Sequence, residues 1–558
     1  MDFNRRVFLG GAAMAASAAA AAPSMAATSK AGGGKAHSKA LKALDALVEQ
    51  HRTDWGLPGM TVVVVDRDGF AGFVRAGWAD VEQEIPVGPD HLFQIGSISK
   101  MFTALAAYTL IEEGRLSPDA RMQDVLEGMS VRDGEAITLQ QLLNHTAGLP
   151  ADSSIFPQGG LWSGFSPGSN WSYSNAGYNL AGHMSAAVGG APNFELVDAR
   201  VLKKLGMTDS VSAMFVADRP RYAQGYEPAL TDRLNLRPSK MTPTPWVDSD
   251  SPSGCVAATA GDMAIFLRFL LGVADGEGGA VFSDDTAKRF LADPAEGWGP
   301  GEHYGNGVAR VEVDGRKYLH HTGGMVSFCS SLHVDPEAGV AAFASTNIHY
   351  AVGYRPRDIT VYGCELLRAI REGGDAPAPK PSKPVIADAG KFKGVFTAAD
   401  GDSFEVVAAG EALNVRRAGR TSPMQRARDA LFATTEPDFA VTGVVFEAEN
   451  DAAVRAWIGE KEYLVNPSTE YMPPAPEELR ALAGRYDNDD RWAGPLYIYA
   501  RAGGLWIGNA VPLVPLEGGE WRLGDDETSP ERIRFDGFIN GRAQQLLFSG
   551  APHVRRFS

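Results

Sequence analysis

Apolar and polar positions follow three successive regimes along the chain. The run Gly59 to Val65, GMTVVVV, is apolar at nearly every position and short, which predicts a buried strand with Phe70 to Ala76 as its hairpin partner. Ahead of it, Leu41 to His51 spaces its apolar residues as one face of a helix. Between His91 and Gly114, Met101, Phe102, Leu105, Ala106, Leu110 and Ile111 fit a helix packed on most sides, with Gly114 as its C′ residue. Leu116 to Asp119 predict a turn and a fresh helix, Ile137 to His145 a short capped helix, Ala176 to Val188 another, and Val256 to Leu271 a strong one behind the turn Ser253-Gly254. Strand patterns return at Tyr318 to Phe328, Ser331 to Val334 and Val340 to Ser345, before a last helix from Tyr362 to Arg371. Strands first, helices in the middle, then strands and a helix predict an α+β layer arrangement with an antiparallel sheet over residues 41–372.

Beyond this the pattern changes character. A Pro-rich linker covers 373–386, and short alternating strands with Gly-rich turns fill 387–466 and, after a second Pro-rich linker at 467–478, 479–558. Phe392-Lys393-Gly394-Val395-Phe396 is echoed by Leu482-Ala483-Gly484-Arg485-Tyr486, and Val444 to Glu447 by Ile533 to Asp536. This weak repeat predicts two small antiparallel all-β barrels.

At 558 residues and 44% apolar composition the chain has room for several cores. Arg5-Arg6 precede an Ala-rich apolar run that ends at Ser24-Met25-Ala26. This resembles a twin-arginine signal peptide over 1–26, with periplasmic or secreted localisation in a bacterium expected; 27–40 read as a flexible leader. The run from Val7 to Ala22 is short for a membrane span and no cysteine lies near the cleavage site to carry a lipid, so no stable membrane anchor is expected. The formal charge of −16 argues against nucleic acid as a partner. Cys255, Cys329 and Cys364 cannot all pair and show no metal-ligand spacing; no metal and no cofactor are expected.

Within the helix pattern after His91 stands Ser97-Ile98-Ser99-Lys100. Three residues apart, Ser97 and Lys100 share a helix face at about 5–6 Å between Cβ atoms, so the amine reaches the hydroxyl and can take its proton. A serine in a first helical turn also meets free N–H groups that favour a developing oxyanion. S-x-x-K alone is weak, because Ser97 also reads as an N-cap and Lys100 as a surface lysine. His145 reads as a histidine satisfied at a helix end, and Tyr173 as a rim aromatic.

Ser97-x-x-Lys100, then Tyr173-Ser174-Asn175, then His321-Thr322-Gly323 resemble, in that order, the three motif blocks of the penicillin-recognising serine hydrolases. Leu142 to Pro150, Trp171 to Tyr178 and Ser253-Gly254-Cys255 are similar too, and the likeness covers about residues 41–371. The resemblance implies a β-lactamase/transpeptidase-like catalytic domain in which Ser97 is the nucleophile of an acyl-enzyme and Tyr173 and Lys100 share the general-base work. Tyr173 acting as phenolate needs its pKa, ordinarily about 10, lowered by about three units, with Lys100 as the nearby cation. Asn175 is expected to orient Lys100 and the substrate, His321, Thr322 and Gly323 to bind substrate, and the backbone N–H groups of Ser97 and Gly324 to form the oxyanion hole.

His321 stands where most β-lactamases carry lysine. A histidine is mostly neutral at pH 7 and anchors a substrate carboxylate less firmly, which favours substrates without that group. His320 reads as structural. With two all-β modules behind it, the chain looks most like the three-domain D-aminopeptidases. The expected partners are small peptide, amide or ester substrates, peptidoglycan-derived ones included; β-lactamase, DD-carboxypeptidase and esterase activities stand as alternatives. A non-catalytic protein holding cell-wall fragments on Trp492, Tyr497, Tyr499 and Trp506 is the reading from another class, although such strand aromatics are more often barrel core.

Overall fold

The computed structural model describes residues 34–134, 136–383, 385–466, 470–490 and 492–556, and the backbone of 25–30. The signal expected over 1–26 lies outside these residues except for Met25 and Ala26, which begin the strand Met25–Lys30.

The strand Gly59–Asp66 is buried at every position, as its unbroken apolar run requires, and pairs antiparallel with Ala71–Asp80, Val63 opposite Phe73. On its other side it pairs with Val340–Thr346, followed in the sheet by Cys329–Asp335, Arg316–Gly324, Val308–Val313, His303–Gly305 and Ala295–Glu296. Met25–Lys30 adds to the Ala71–Asp80 edge. Among the described residues this antiparallel sheet has ten strands, counting the short Ile85–Pro86 that also pairs with Ala71–Asp80. The helix Lys35–Trp55 packs Leu41, Leu44, Leu47 and Val48 on one face of the sheet, beside Arg357–Glu372. Residues 27–40, expected to be a flexible leader, thus carry an edge strand and the start of this helix.

The helical layer lies on the other face. Its centre is Ser99–Glu112, buried from Ser99 to Ile111, and it packs against Asn175–Gly189. Gly114 follows with φ +68°, the left-handed conformation expected of a C′ glycine. The helix expected over 256–271 divides in two. Ala257–Ala258 is extended and pairs with Phe93–Gln94, and the helix runs from Ala260 to Ala274 because the Thr259 side chain accepts the Asp262 N–H and caps it there. The strand expected to reach Phe328 ends at Gly324, where Met325 donates its N–H to Phe328 and the chain turns back.

Each C-terminal module is a closed eight-stranded barrel, Gly394 to Leu464 and Gly484 to Arg555. Phe396, Phe404, Phe432, Phe446 and Tyr463 fill the first, and Tyr486, Ile498, Leu505, Ile533 and Leu546 the second. The barrel-core reading of the second module's other aromatics is corrected. Arg501 lies over Trp457 of the first barrel and Trp506 of the second, at 5.0 and 4.8 Å. Tyr497 donates its hydroxyl to the Asp232 carbonyl at 2.9 Å, Tyr499 borders Gly459, and Trp492 stacks on Tyr350. These side chains join domains, and that is why they are apolar on the outer wall of a barrel.

Candidate active site

Ser97 sits in a 3-10 turn, Gly96–Ile98, that feeds directly into the helix beginning at Ser99. Gly96 makes that entry at φ +55°, and a Cβ there would come 2.7 Å from the N of Gly324. The last residues of the strand Arg316–Gly324 therefore pass directly against the nucleophile turn. A Cβ on Gly323 would lie 1.9 Å from the Ile95 carbonyl oxygen, so both glycines are required by close approach. The backbone segments expected to form the oxyanion hole, at Ser97 and Gly324, are thus brought together.

Lys100 is fully buried. Its Nζ donates to Asn175 Oδ1 at 2.5 Å and to the Ser253 carbonyl at 2.8 Å, and lies 3.2 Å from Ser97 Oγ. It also lies 4.8 Å from the Tyr173 ring centroid and 5.4 Å from that of Tyr178. Burial pushes its pKa down to about 7, opposed by the Asp152 carboxylate. Near neutral pH a substantial fraction of this lysine is an uncharged amine beside the serine. Asn175 is oriented in turn by Asp152, whose Oδ1 accepts its Nδ2–H at 2.5 Å. Ser174 caps the helix that carries Asn175 by accepting the Gly177 N–H, so the tripeptide Tyr173-Ser174-Asn175 is fixed at a helix N-terminus.

Tyr173 hydrogen-bonds the Ser97 side chain, but burial drives its pKa upward; the Ser97 bond works the other way, and Asp152 adds to the rise. Burial thus works against the expected phenolate and favours the protonated phenol, while the group whose pKa is brought toward neutrality is Lys100. Burial dominates because the ring is enclosed by His145, Trp298 and Tyr304 at centroid distances of 4.3, 5.9 and 6.4 Å.

His321 is corrected as well. It is fully buried, its Nδ1 bonds the Thr322 carbonyl at 2.6 Å, and its Nε2 lies 3.1 Å from the Tyr304 hydroxyl. Since a carbonyl only accepts, Nδ1 carries the proton and Tyr304 donates to Nε2. Burial, with Lys100 nearby, lowers its pKa to about 3. It offers a substrate neither a charge nor a free donor; with Tyr304 and Trp298 it forms the wall behind Tyr173. Thr322 is half-buried on the same strand and Gly323 buried. His320 stacks on His333 at 4.1 Å in the interior.

Several contacts at the site go beyond the roles that the sequence assigns. His145 has φ +61°, accepts the Ser174 N–H at Nδ1 (3.1 Å) and packs on Tyr173, and its Nε2 has no hydrogen-bond partner among the described residues. It follows the end of the helix Leu139–Leu143, as the sequence suggests, and from there backs the Tyr173 ring. Ser253 contributes a backbone carbonyl, which no residue type announces. Arg355 lies against the far side of Gly324: a Cβ there would be 2.7 Å from its Nη2, while Nη1 bonds the carbonyls of Tyr350 and Tyr354. This places a guanidinium beside the end of the strand that carries His321, Thr322 and Gly323. Among the described residues no group of three or more His, Cys, Asp or Glu side chains is placed to hold a metal ion.

The Beta-lactamase family profile matches residues 44–364. Penicillin-binding protein 4 of Amycolatopsis lactamdurans is 29% identical over 334 residues, 56% of this chain and 85% of that protein. Esterase EstB of Burkholderia gladioli is 31% identical over 234 residues, 36% of this chain and 58% of that protein. Among solved structures, the octameric penicillin-binding protein homologue from Pyrococcus abyssi matches with a TM-score of 0.53 at 22% identity, covering 76% of this chain and 99% of that one.

Proposed function

The chain belongs to the β-lactamase family of serine hydrolases, and from that premise we propose that it cleaves amide or ester bonds of small substrates through an acyl-enzyme on Ser97, with D-aminopeptidase-type amides as the leading substrate class. The observation that carries this reading is the buried Lys100 amine, 3.2 Å from Ser97 Oγ with its pKa near 7. Neutral Lys100 takes the Ser97 proton as Oγ attacks the carbonyl carbon, and the oxyanion that forms lies toward the N–H groups of Ser97 and Gly324. Tyr173, protonated and bonded to Ser97, passes its proton to the leaving amine or alkoxide and is reprotonated from Lys100. Water then attacks the ester with the same pair in reverse roles. Export through a twin-arginine signal is part of the proposal, supported by Arg5-Arg6 and the apolar run behind them.

The neutral, fully bonded His321 supports substrates without a carboxylate at that point. Arg355 beside Gly324 favours a second reading, a carboxylate-bearing substrate such as a β-lactam or a C-terminal D-amino acid. Turnover of D-alanine p-nitroanilide and of nitrocefin by the wild type, Ser97→Ala and Arg355→Ala separates them. The leading reading expects p-nitroaniline release that Ser97→Ala abolishes and Arg355→Ala leaves intact. Turnover of nitrocefin alone, with KM raised in Arg355→Ala, would replace it with the second.

A further inference from the structure

We propose that the second barrel is part of the catalytic apparatus: Glu531 is a positioning residue that holds the loop Ala151-Asp152, and through it Asn175 and the amine of Lys100. The inference rests on the reading of Ser97 and Lys100 as nucleophile and base.

A continuous line of hydrogen bonds carries it. Glu531 Oε1 accepts the Ala151 N–H at 2.6 Å. The Ala151 carbonyl accepts the Asn175 N–H at 2.7 Å, and the Asp152 carboxylate accepts the Asn175 side-chain N–H at 2.5 Å. Asn175 Oδ1 takes the Lys100 ammonium at 2.5 Å, and Lys100 reaches Ser97. From barrel carboxylate to nucleophile the path crosses two domains and leaves no link unbonded. The other end of Glu531 is fixed inside the barrel, where Oε2 accepts the Ser549 hydroxyl.

The surrounding seam is built to seat this residue. Trp162 donates its indole N–H to the Pro530 carbonyl at 2.9 Å, and a Cβ on Gly164 would lie 2.5 Å from Pro530 Cα. On the catalytic side the same loop is held by Ser174, whose hydroxyl donates to the Pro150 carbonyl at 2.7 Å. The loop is therefore clamped between the start of helix Asn175–Gly189 and the barrel, and its one barrel-side backbone donor, Ala151 N–H, is met by Glu531. That bond fixes the loop from the barrel side, next to Asp152, the carboxylate that favours the charged form of Lys100. The charged and titratable groups facing the pair are Asp152, His145, Tyr173, Tyr178 and His321 around Lys100, and Asp152 and Arg532 around Glu531.

The test measures the rate at which a fluorophosphonate probe labels Ser97 across pH, in the full chain. Ser97 Oγ displaces fluoride and its proton passes to Lys100, so the rate reports the base directly whatever the natural substrate. Glu531→Ala is expected to label about tenfold or more slowly, the scale of a catalytic group displaced by a fraction of an ångström, with its acid limb moved to lower pH as Asp152 loosens from Lys100. Glu531→Gln keeps the acceptor for Ala151 and is expected to restore the rate to within about threefold of wild type. Tyr497→Phe, which removes a contact of the same barrel with the catalytic domain at the Asp232 carbonyl, away from the loop, is expected to label as the wild type does. Should Glu531→Ala not fold by near-ultraviolet circular dichroism, Ser549→Ala releases Glu531 from its other side and is expected to slow labelling by about threefold. Wild-type rate and an unmoved acid limb in Glu531→Ala would overturn the proposal, as would Glu531→Gln labelling no faster than Glu531→Ala. A wild type labelled no better than Ser97→Ala would overturn the reading of Ser97 as nucleophile, and this proposal with it.

Discussion

Asn175→Ala is the sharpest probe of how the base is tuned. Asn175 Oδ1 receives a charge-assisted hydrogen bond from Lys100 at 2.5 Å, which stabilises the ammonium and not the free amine. Hydrogen bonds to charged groups contribute about 1.5–3 kcal/mol, and one pKa unit corresponds to about 1.4 kcal/mol. Losing this bond, with Ser253 still in place, therefore lowers the Lys100 pKa by about one unit or more from its value near 7. The sign is fixed by the chemistry. A lower pKa keeps the amine neutral in more acid solution, so the acid limb of Ser97 acylation moves down by about one pH unit. The plateau falls as well, because the amine loses the contact that aims it at Ser97. Single-turnover acylation by a p-nitrophenyl ester, followed from pH 4 to 9 for wild type and variant, measures both. An acid limb that stays in place or moves to higher pH would refute the assignment of that limb to Lys100.

His145, His320, His321 and His333 are buried with lowered pKa values, the last two to about 3, so below pH 6.5 the unfolded chain binds protons that the folded one refuses. Stability is then lost as pH falls from about 6.5 toward 3, by up to about 1.4 kcal/mol per pH unit for each histidine, and the urea midpoint at pH 5 is expected well below that at pH 7.5; equal midpoints would contradict this. Gly323→Ala drives a methyl into the Ile95 carbonyl and is expected to cut turnover about 100-fold by displacing the nucleophile turn, checked by steady-state kinetics against an ester substrate. Arg368→Ala leaves the buried Asp335 carboxylate without its two-pronged partner, at 2.8 and 2.9 Å, and is expected to cost about 3–5 kcal/mol in chemical denaturation with little change in KM.

The parts of the site legible in the sequence are those in which residue type and local spacing carry the chemistry. Ser97 and Lys100 lie one helical turn apart, and their helix is marked by an apolar run too continuous to be a surface helix. Tyr173 and Asn175 flank a serine that caps a helix, itself a local signal. What was not legible depends on contacts between distant segments. The Ser253 carbonyl, the Tyr304 hydroxyl and the Arg355 guanidinium reach the site from 156 to 258 positions beyond Ser97 in ways that no periodicity marks. His321 was assigned a substrate role from its place in a motif, yet its surroundings decide its chemistry: Tyr304 and Thr322 occupy both ring nitrogens. The same holds for the direction of the Tyr173 shift, which turns on how many rings enclose it. In the barrels, strand alternation marked the closed architecture but not that the outer aromatics serve as seams.

Acylation of Ser97 is tested by mass spectrometry of the protein quenched during turnover, with peptide mapping of the adduct and Ser97→Ala run in parallel. An acyl group is expected on the peptide containing Ser97 and absent from the variant. An adduct mapped to another residue, or one that persists in Ser97→Ala, would contradict it.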